Sequence, residues 1–202
     1  MDEHNATPSN RRPTGVPGLD RILEGGLLVA GVYIVQGPPG AGKTILANQI
    51  CFHHASTGQR AVYVTLLAES HSRLFAHLRR MAFFDESAIP DRVYYIGGYS
   101  ALQSGGLDAL VALLRGVIQK NNATLLVVDG LVSAQESAPN DRDFKQFIHE
   151  LQTLTELIGC TVILLTNVER ASGFFPEHTM VAASCISPTS CPSCGRSGTC
   201  GC

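Results

Sequence analysis

One short segment constrains the fold of this chain more than any other, because it matches the pattern G-x-x-x-x-G-K-[ST] at every fixed position. The segment consists of Gly37, Pro38, Pro39, Gly40, Ala41, Gly42, Lys43 and Thr44. Residues 32–35 before it predict a short buried strand, and residues 45–57 after it predict a helix that ends at a glycine. Such a loop points unpaired backbone N–H groups and the positive end of the helix dipole at one place, which favours a nucleotide phosphate tail.

Two side chains of this loop have expected roles in binding. Lys43 would place its ammonium group on the β and γ phosphates, and the Thr44 hydroxyl would be a ligand of Mg²⁺. The alternative is a chance glycine-rich turn. The flanking strand and helix are the context that distinguishes the motif from such a turn, so we expect the loop to bind a nucleotide together with Mg²⁺.

Composition limits the other classes of function. The 202 residues suffice for one domain with a tail, and the 45% hydrophobic fraction supports a sizeable core. The formal net charge of −2 gives no overall basic field that would attract nucleic acid or anionic lipid. No apolar run reaches the roughly 18 residues of a membrane helix, and the polar N-terminus is unlike a signal peptide. We therefore expect a cytoplasmic protein with no membrane partner.

The two ends of the chain differ from its body. Residues 1–13 are polar and contain proline, which predicts a flexible tail. Residues 182–202 are rich in Cys, Ser and Gly. Within them Cys191, Cys194, Cys200 and Cys202 could supply four thiolates to a metal ion. However, only five residues separate the two pairs and the segment is nearly devoid of apolar side chains, so we expect disorder instead.

Strands and helices alternate along the body of the chain. Further strands are predicted at residues 61–67, 93–96, 124–128 and 161–165. Amphipathic helices are predicted after Ser70, over an apolar stripe from Leu107 to Ile118, and from Phe144 to Ile158. Strands and helices of these lengths imply right-handed crossovers and an α/β fold, with a mostly parallel sheet covered by helices on both faces.

Asp129 is the second chemical element, because it ends a run of four apolar residues. Ligands of parallel sheets gather outside the carboxyl ends of the strands, so Asp129 should lie near Lys43 and Thr44. There it could bind Mg²⁺ directly or through water, as a Walker B aspartate does. The alternative is a merely structural carboxylate.

Hydrolysis also needs a group that orients or deprotonates the attacking water. Glu69 is the candidate, because it lies just beyond the strand predicted to end at Leu67; the alternative is an acid favoured by a helix N-terminus. Thr166 and Asn167, at the end of the last predicted strand, could sense the γ-phosphate or the lytic water. They could equally be ordinary turn residues.

Together these segments resemble the KaiC-like ATPases of the RecA superfamily. The most specific part is the leader T-G-x-P-G-L-D…G-G-L within residues 14–27, followed by the phosphate loop, the strand before Glu69, the strand to Asp129, and residues 166–170. The resemblance covers roughly residues 14–181. It implies a RecA-type core, ATP and Mg²⁺ as ligands, ATPase activity, and assembly into rings, often hexameric, with nucleotide held between subunits.

The chain also departs from this family pattern. Family members usually carry two adjacent glutamates where this chain has only Glu69. They continue through further strands that bear a Lys or Arg reaching the neighbour's nucleotide, and we expect the present domain to be short at this end. Because arginine fingers contribute about 10³ to 10⁵ in rate, we expect ATP binding with only weak hydrolysis. The second KaiC domain is also absent, so kinase activity is not implied.

The sequence thus predicts an ATP-binding, slowly hydrolysing regulator that acts through oligomerisation or a signalling partner. The alternatives are a RecA-like DNA-binding ATPase of recombination and a non-hydrolysing nucleotide-binding module. Against DNA binding stand the slightly acidic charge, the absence of Trp, and the lack of a basic cluster interleaved with aromatics. The best basic patch is the helix face with Arg73, Arg79 and Arg80.

Overall fold

The computed structural model describes residues 10–68, 71–167 and 183–185 of the chain. In chain order its elements are β1 (Arg11–Arg12), α1 (Pro17–Ile22), β2 (Leu27–Leu28), β3 (Val32–Gly37), α2 (Lys43–Ser56), β4 (Ala61–Thr65), α3 (His71–Leu78), β5 (Val93–Gly97), α4 (Tyr99–Asn121), β6 (Leu125–Asp129), α5 (Leu131–Ser137), α6 (Asp141–Ile158), β7 (Thr161–Asn167) and β8 (Ala183–Cys185).

The main sheet has the strand order β5-β4-β6-β7-β3-β8, and every neighbouring pair in it is parallel. Strand β4 is buried along its whole length, and β6 is buried up to its last residue. Near-continuous apolar strands of this kind are expected where helices cover both faces of a sheet. The structure therefore confirms the predicted α/β class and the parallel sheet.

Two apolar clusters lie on opposite faces of the sheet. Leu126 and Val128 of β6 pack into the cluster that contains residues of α4, α5 and α6. Leu125 and Val127 pack into the other cluster, with α2 and α3. Side chains alternate between faces along a strand, so Asp129 follows Leu125 and Val127 onto the face of α2.

Two short strands lie within the segments that the sequence predicts to be tails. Strand β1 lies within the predicted 1–13 tail and pairs with β2, while the Arg11 guanidinium donates to the carbonyl oxygens of Leu23 at 2.7 Å and Gly26 at 3.2 Å. Strand β8 lies within the predicted 182–202 tail and pairs with β3. The remaining tail residues, including the last four cysteines, lie outside the described residues, so disorder or metal binding there stays a prediction.

Helix α4 begins earlier than its apolar stripe predicts, at Tyr99 instead of Leu107. Gly105 and Gly106 interrupt it with non-helical backbone angles. By length and composition alone it is the one helix among the described residues that could cross a membrane. Leu110 and Leu114 are nevertheless fully buried in the apolar cluster on one face of the sheet. The apolar character of α4 is therefore accounted for by core packing.

Candidate functional site

The phosphate loop runs from the last residue of β3 to the first turn of α2, as predicted. Gly40 and Gly42 have φ angles of 81° and 85°, which residues other than glycine rarely adopt. Nothing lies within 4 Å of where a Cβ would stand at either position, so the requirement for glycine is conformational. Gly42 is also the N-cap of α2 and carries no side chain that could bond the first N–H groups of the helix. These donors face the loop.

Lys43 is held over the beginning of the same loop. Its Nζ donates to the carbonyl oxygens of Gly37 at 2.8 Å and Pro38 at 3.0 Å. Partial burial lowers the pKa of Lys43, and the Asp129 carboxylate partly offsets that effect by raising it. The ammonium and the helix N-terminus thus add their positive potential at one place.

The two predicted Mg²⁺ ligands lie side by side, although they are far apart in the sequence. The Thr44 hydroxyl donates to Asp129 Oδ2 at 2.9 Å. Because the hydroxyl proton goes to the carboxylate, the oxygen of Thr44 keeps its lone pairs for a cation. Carboxylate and hydroxyl oxygens are the hard ligands that Mg²⁺ prefers, so these residues fit that ion. Among the described residues no group of three or more His, Cys, Asp or Glu is placed to hold a metal ion.

Two buried residues of this site were missed at the level of sequence. The Tyr63 hydroxyl donates to the same Oδ2 of Asp129 at 2.5 Å. The Asn48 amide donates to the Thr44 carbonyl oxygen at 2.7 Å and accepts from the Tyr95 hydroxyl at 2.6 Å. Tyr63 and Asn48 are both fully buried. Burial and the neighbouring Asp129 raise the pKa of Tyr63, so its hydroxyl keeps the proton that it donates.

Weak signals for both residues exist in the sequence. Asn48 stands one helical turn after Thr44, on the face of α2 that packs against the sheet. Tyr63 interrupts an otherwise aliphatic strand two residues before its end. A polar group at a core position usually has a hydrogen-bond partner, but the sequence does not say which residue that partner is.

The other predicted site residues also fall at the carboxyl edge where the structure describes them. Thr166 stands opposite Gln36 in the pairing of β7 with β3, and Asn167 stands opposite Gly37, the first residue of the loop. Glu69 lies outside the described residues, so its role stays a prediction. Strand β4 ends at Thr65 instead of residue 67, and the chain leaves the sheet beside Asp129.

Comparison with known proteins agrees with this geometry. The family model that matches the chain is described as "ATPase: KaiC", and the match extends over residues 12–184. The chain belongs to the KaiC ATPase family. The resemblance of the leader and the phosphate loop to KaiC-like members of the RecA superfamily is thereby confirmed.

Curated relatives of this KaiC-family chain include proteins with different names. A UPF0273 protein of Saccharolobus solfataricus is 29% identical over 175 residues, covering 78% of this chain and 60% of the relative. The circadian clock protein KaiC3 of a Synechocystis species is 26% identical over 75% of this chain and 31% of its own length. The DNA repair protein RadA of Mycobacterium tuberculosis is 38% identical over 65 residues, which are 32% of this chain and 13% of RadA. The KaiC-family chain therefore matches only part of each relative.

A solved structure shares the fold. The crystal structure of a KaiC-like protein from Pyrococcus horikoshii superimposes with a TM-score of 0.73 at 23% sequence identity. The superposition covers 87% of the present chain and 79% of the archaeal chain. The RecA-like core predicted from the sequence is confirmed.

Proposed function

We propose that this KaiC-family chain binds ATP with Mg²⁺, hydrolyses it slowly, and passes the nucleotide state on as a regulatory signal. The observation that supports this most directly is the contact between Thr44 and Asp129 at the phosphate loop. A hydroxyl at the start of a helix and a carboxylate at the end of a neighbouring strand are the two protein groups that P-loop ATPases use to hold Mg²⁺.

Each side chain of the loop has a binding role in this proposal. The loop N–H groups and the Lys43 ammonium bind the phosphate oxygens, for which Lys43 exchanges its bonds to the carbonyls of Gly37 and Pro38. Thr44 and Asp129 would hold the Mg²⁺ ion. When bound there, the ion would neutralise the negative charge that develops on the phosphates during hydrolysis.

For the hydrolytic step we assign Glu69 to orient or deprotonate the attacking water, and Thr166 with Asn167 to sense the γ-phosphate. The pairing of Asn167 with Gly37 supports the second assignment, because it brings the end of β7 to the beginning of the loop. Slow turnover is part of this proposal, and the chain departs from the family pattern here, since only Glu69 stands where family members usually carry two adjacent glutamates.

The regulatory output requires assembly or a partner. Members of this family bind ATP and often oligomerise, and we propose a ring-shaped homo-oligomer that presents a nucleotide-dependent surface to a signalling protein. We further propose that the protein is cytoplasmic and has no membrane partner. The burial of Leu110 and Leu114 in the core supports this, because it gives the apolar helix α4 a place inside the fold.

A DNA-binding ATPase of recombination is the second candidate, favoured by the similarity to RadA. The slightly acidic net charge argues against it. The predicted basic helix face is not formed as expected, because α3 ends at Leu78, and Arg79 in the turn that follows is paired with Glu86. Single-stranded DNA that stimulates ATP turnover, with a gain that falls as salt rises, would favour this candidate over the regulator.

The first experiment is Mg²⁺-dependent ATP turnover by the full chain beside three variants. Lys43→Ala should lose both binding and turnover, Glu69→Gln should lose turnover and retain binding, and the matched control Lys120→Ala, at an exposed position of α4, should behave as the parent does. ATP binding that survives in Lys43→Ala would contradict the proposal. Lys43-dependent binding without turnover in the parent would instead identify a non-hydrolysing nucleotide-binding module.

A further inference from the structure

Strand β4 carries a side chain that reaches the carboxylate at the end of β6. In the pairing of the two strands Tyr63 stands opposite Val127, and Thr65 stands opposite Asp129. Tyr63 and Asp129 are therefore diagonal neighbours on the same face, separated by one strand spacing of about 4.8 Å across the sheet and by two residues, about 6.6 Å, along it. Only a long side chain spans that gap, and the tyrosine ring brings its hydroxyl to 2.5 Å from Asp129 Oδ2.

The tyrosine is fixed in this position by its surroundings. Tyr63 is fully buried, and its ring centre lies 5.3 Å from the ring centre of Tyr95. The Tyr95 hydroxyl in turn donates to Asn48, and Asn48 donates to the backbone of Thr44. A buried hydroxyl that left its acceptor would remain unpaired, which is unfavourable, so the donor stays directed at the carboxylate.

Two hydrogen bonds consequently converge on one oxygen of Asp129. Oδ2 accepts from Tyr63 and from Thr44, which orients the carboxylate about its side-chain bonds. A metal ligand that is already oriented loses less conformational freedom when it binds the ion. Tyr63 of β4 thus fixes the orientation of Asp129 at the end of β6.

We propose that Tyr63 is a positioning residue for Mg²⁺, because its hydroxyl holds the Asp129 carboxylate in the orientation that binds the ion. This inference rests on the proposed function, since it concerns the Mg²⁺ that accompanies the nucleotide. Tyr63 itself contacts neither ion nor phosphate. Its effect reaches the ion only through Asp129.

The test is the variant Tyr63→Phe in the full chain, which removes the hydroxyl and keeps the buried ring. The affinity for a fluorescent ATP analogue is titrated with Mg²⁺ and measured again in EDTA. We expect the Mg²⁺ concentration for half-maximal enhancement of binding to rise about 10- to 100-fold, as for other groups that orient metal ligands. The affinity in EDTA should stay at the value of the parent.

Tyr33→Phe is the matched control. Tyr33 is buried in the cluster that contains α2, and its hydroxyl accepts from the Leu28 N–H at 2.6 Å, at the opposite edge of the sheet. Both variants lose one buried hydroxyl, so both should unfold at lower urea concentration. Only Tyr63→Phe should change the Mg²⁺ dependence.

Two results would overturn the inference while leaving the proposed function intact. One is a Mg²⁺ midpoint in Tyr63→Phe equal to that of the parent. The other is an equal loss of affinity in Mg²⁺ and in EDTA, which would mean that Tyr63 only supports the packing around the loop. A folded parent that binds no nucleotide would instead overturn the proposed function itself.

Discussion

The two edges of the sheet use polar side chains in opposite ways. At the carboxyl edge, Thr44 and Asp129 bond to each other and Lys43 bonds to loop carbonyls, so the charges and the helix N-terminus converge on one place. At the amino edge, His54 and Thr161 bond to groups of the scaffold. Polar side chains are thus gathered around the phosphate loop at one edge, whereas at the other edge they tie neighbouring elements of the fold together.

The difference has a physical origin in the parallel sheet. Strands that all run the same way bring their carboxyl ends and the helix N-termini that follow them to one edge, where anions and cations can be bound. The C-terminal ends of the helices and the starts of the strands lie at the other edge. Polar side chains there mainly satisfy loop backbone groups. Changes at the carboxyl edge should therefore alter ligand binding, whereas changes at the amino edge should alter stability.

The largest expected effect is at the carboxyl edge. Asp129→Asn keeps the shape of the side chain and can still accept from Tyr63 and Thr44, but it removes the negative charge that attracts Mg²⁺. We expect Mg²⁺-dependent ATP turnover to fall about 1,000-fold, a loss typical of removing one electrostatic group from a reacting centre. The free energy of unfolding, measured in urea, should change by less than about 1 kcal/mol. A large loss of stability with normal turnover would remove the contrast between the edges.

The next effect is a loss of stability in acid, which we expect from His54 at the amino edge. Thr124 donates its hydroxyl proton to Gln59, so it accepts from the Nε2–H of a neutral His54 at 2.8 Å. Burial, with smaller contributions from the Arg12 charge and from the neighbouring His53, lowers the pKa of His54 from 6.5 to about 4. Between these pH values the unfolded chain binds a proton that the folded chain does not. Stability should be complete above pH 6.5 and fall toward pH 4.

A shift of this size corresponds to about 3 kcal/mol. His54→Gln keeps an N–H donor and removes the titration. The decrease in free energy of unfolding between pH 7 and pH 4 should therefore be about 3 kcal/mol smaller in this variant than in the parent. Urea unfolding at the two pH values measures it. The affinity for nucleotide at neutral pH should match the parent. An acid dependence identical to that of the parent would show that His54 is not its source.

The smallest expected effect is a loss of stability caused by a substitution at Thr161, again at the amino edge. Thr161 is fully buried at the start of β7, and its hydroxyl donates to the Leu28 carbonyl oxygen at 3.1 Å. Thr161→Val keeps the shape but removes this bond, and should cost about 1 kcal/mol in urea unfolding. The Mg²⁺ dependence of nucleotide binding should remain that of the parent. A changed dependence would mean that the two edges are coupled.

Much of the fold could be predicted from the sequence. The five strands β3 to β7 follow from apolar runs and α6 from its helical periodicity, because these elements are long enough to show a pattern of their own. Helix α2 follows from its place between the phosphate loop and Gly58. Strands β1 and β2, two residues each, and the short helix α5 have no such pattern. The first part of α4 was missed because Gly105 and Gly106 separate it from the apolar stripe. Short elements of this kind are stabilised by the neighbours on which they pack.

The phosphate loop with Lys43 and Thr44 could be found from the sequence, since glycine positions and covalent spacing are local properties. Asp129 could be found as well, because a carboxylate after an apolar strand must lie at the carboxyl edge. In contrast, the contacts of Tyr63 with Asp129 and of His54 with Thr124 are visible only in the folded chain. Those contacts exist because β4 lies beside β6 and α2 crosses their face, and strand order follows from the packing of the whole sheet, not from any single segment.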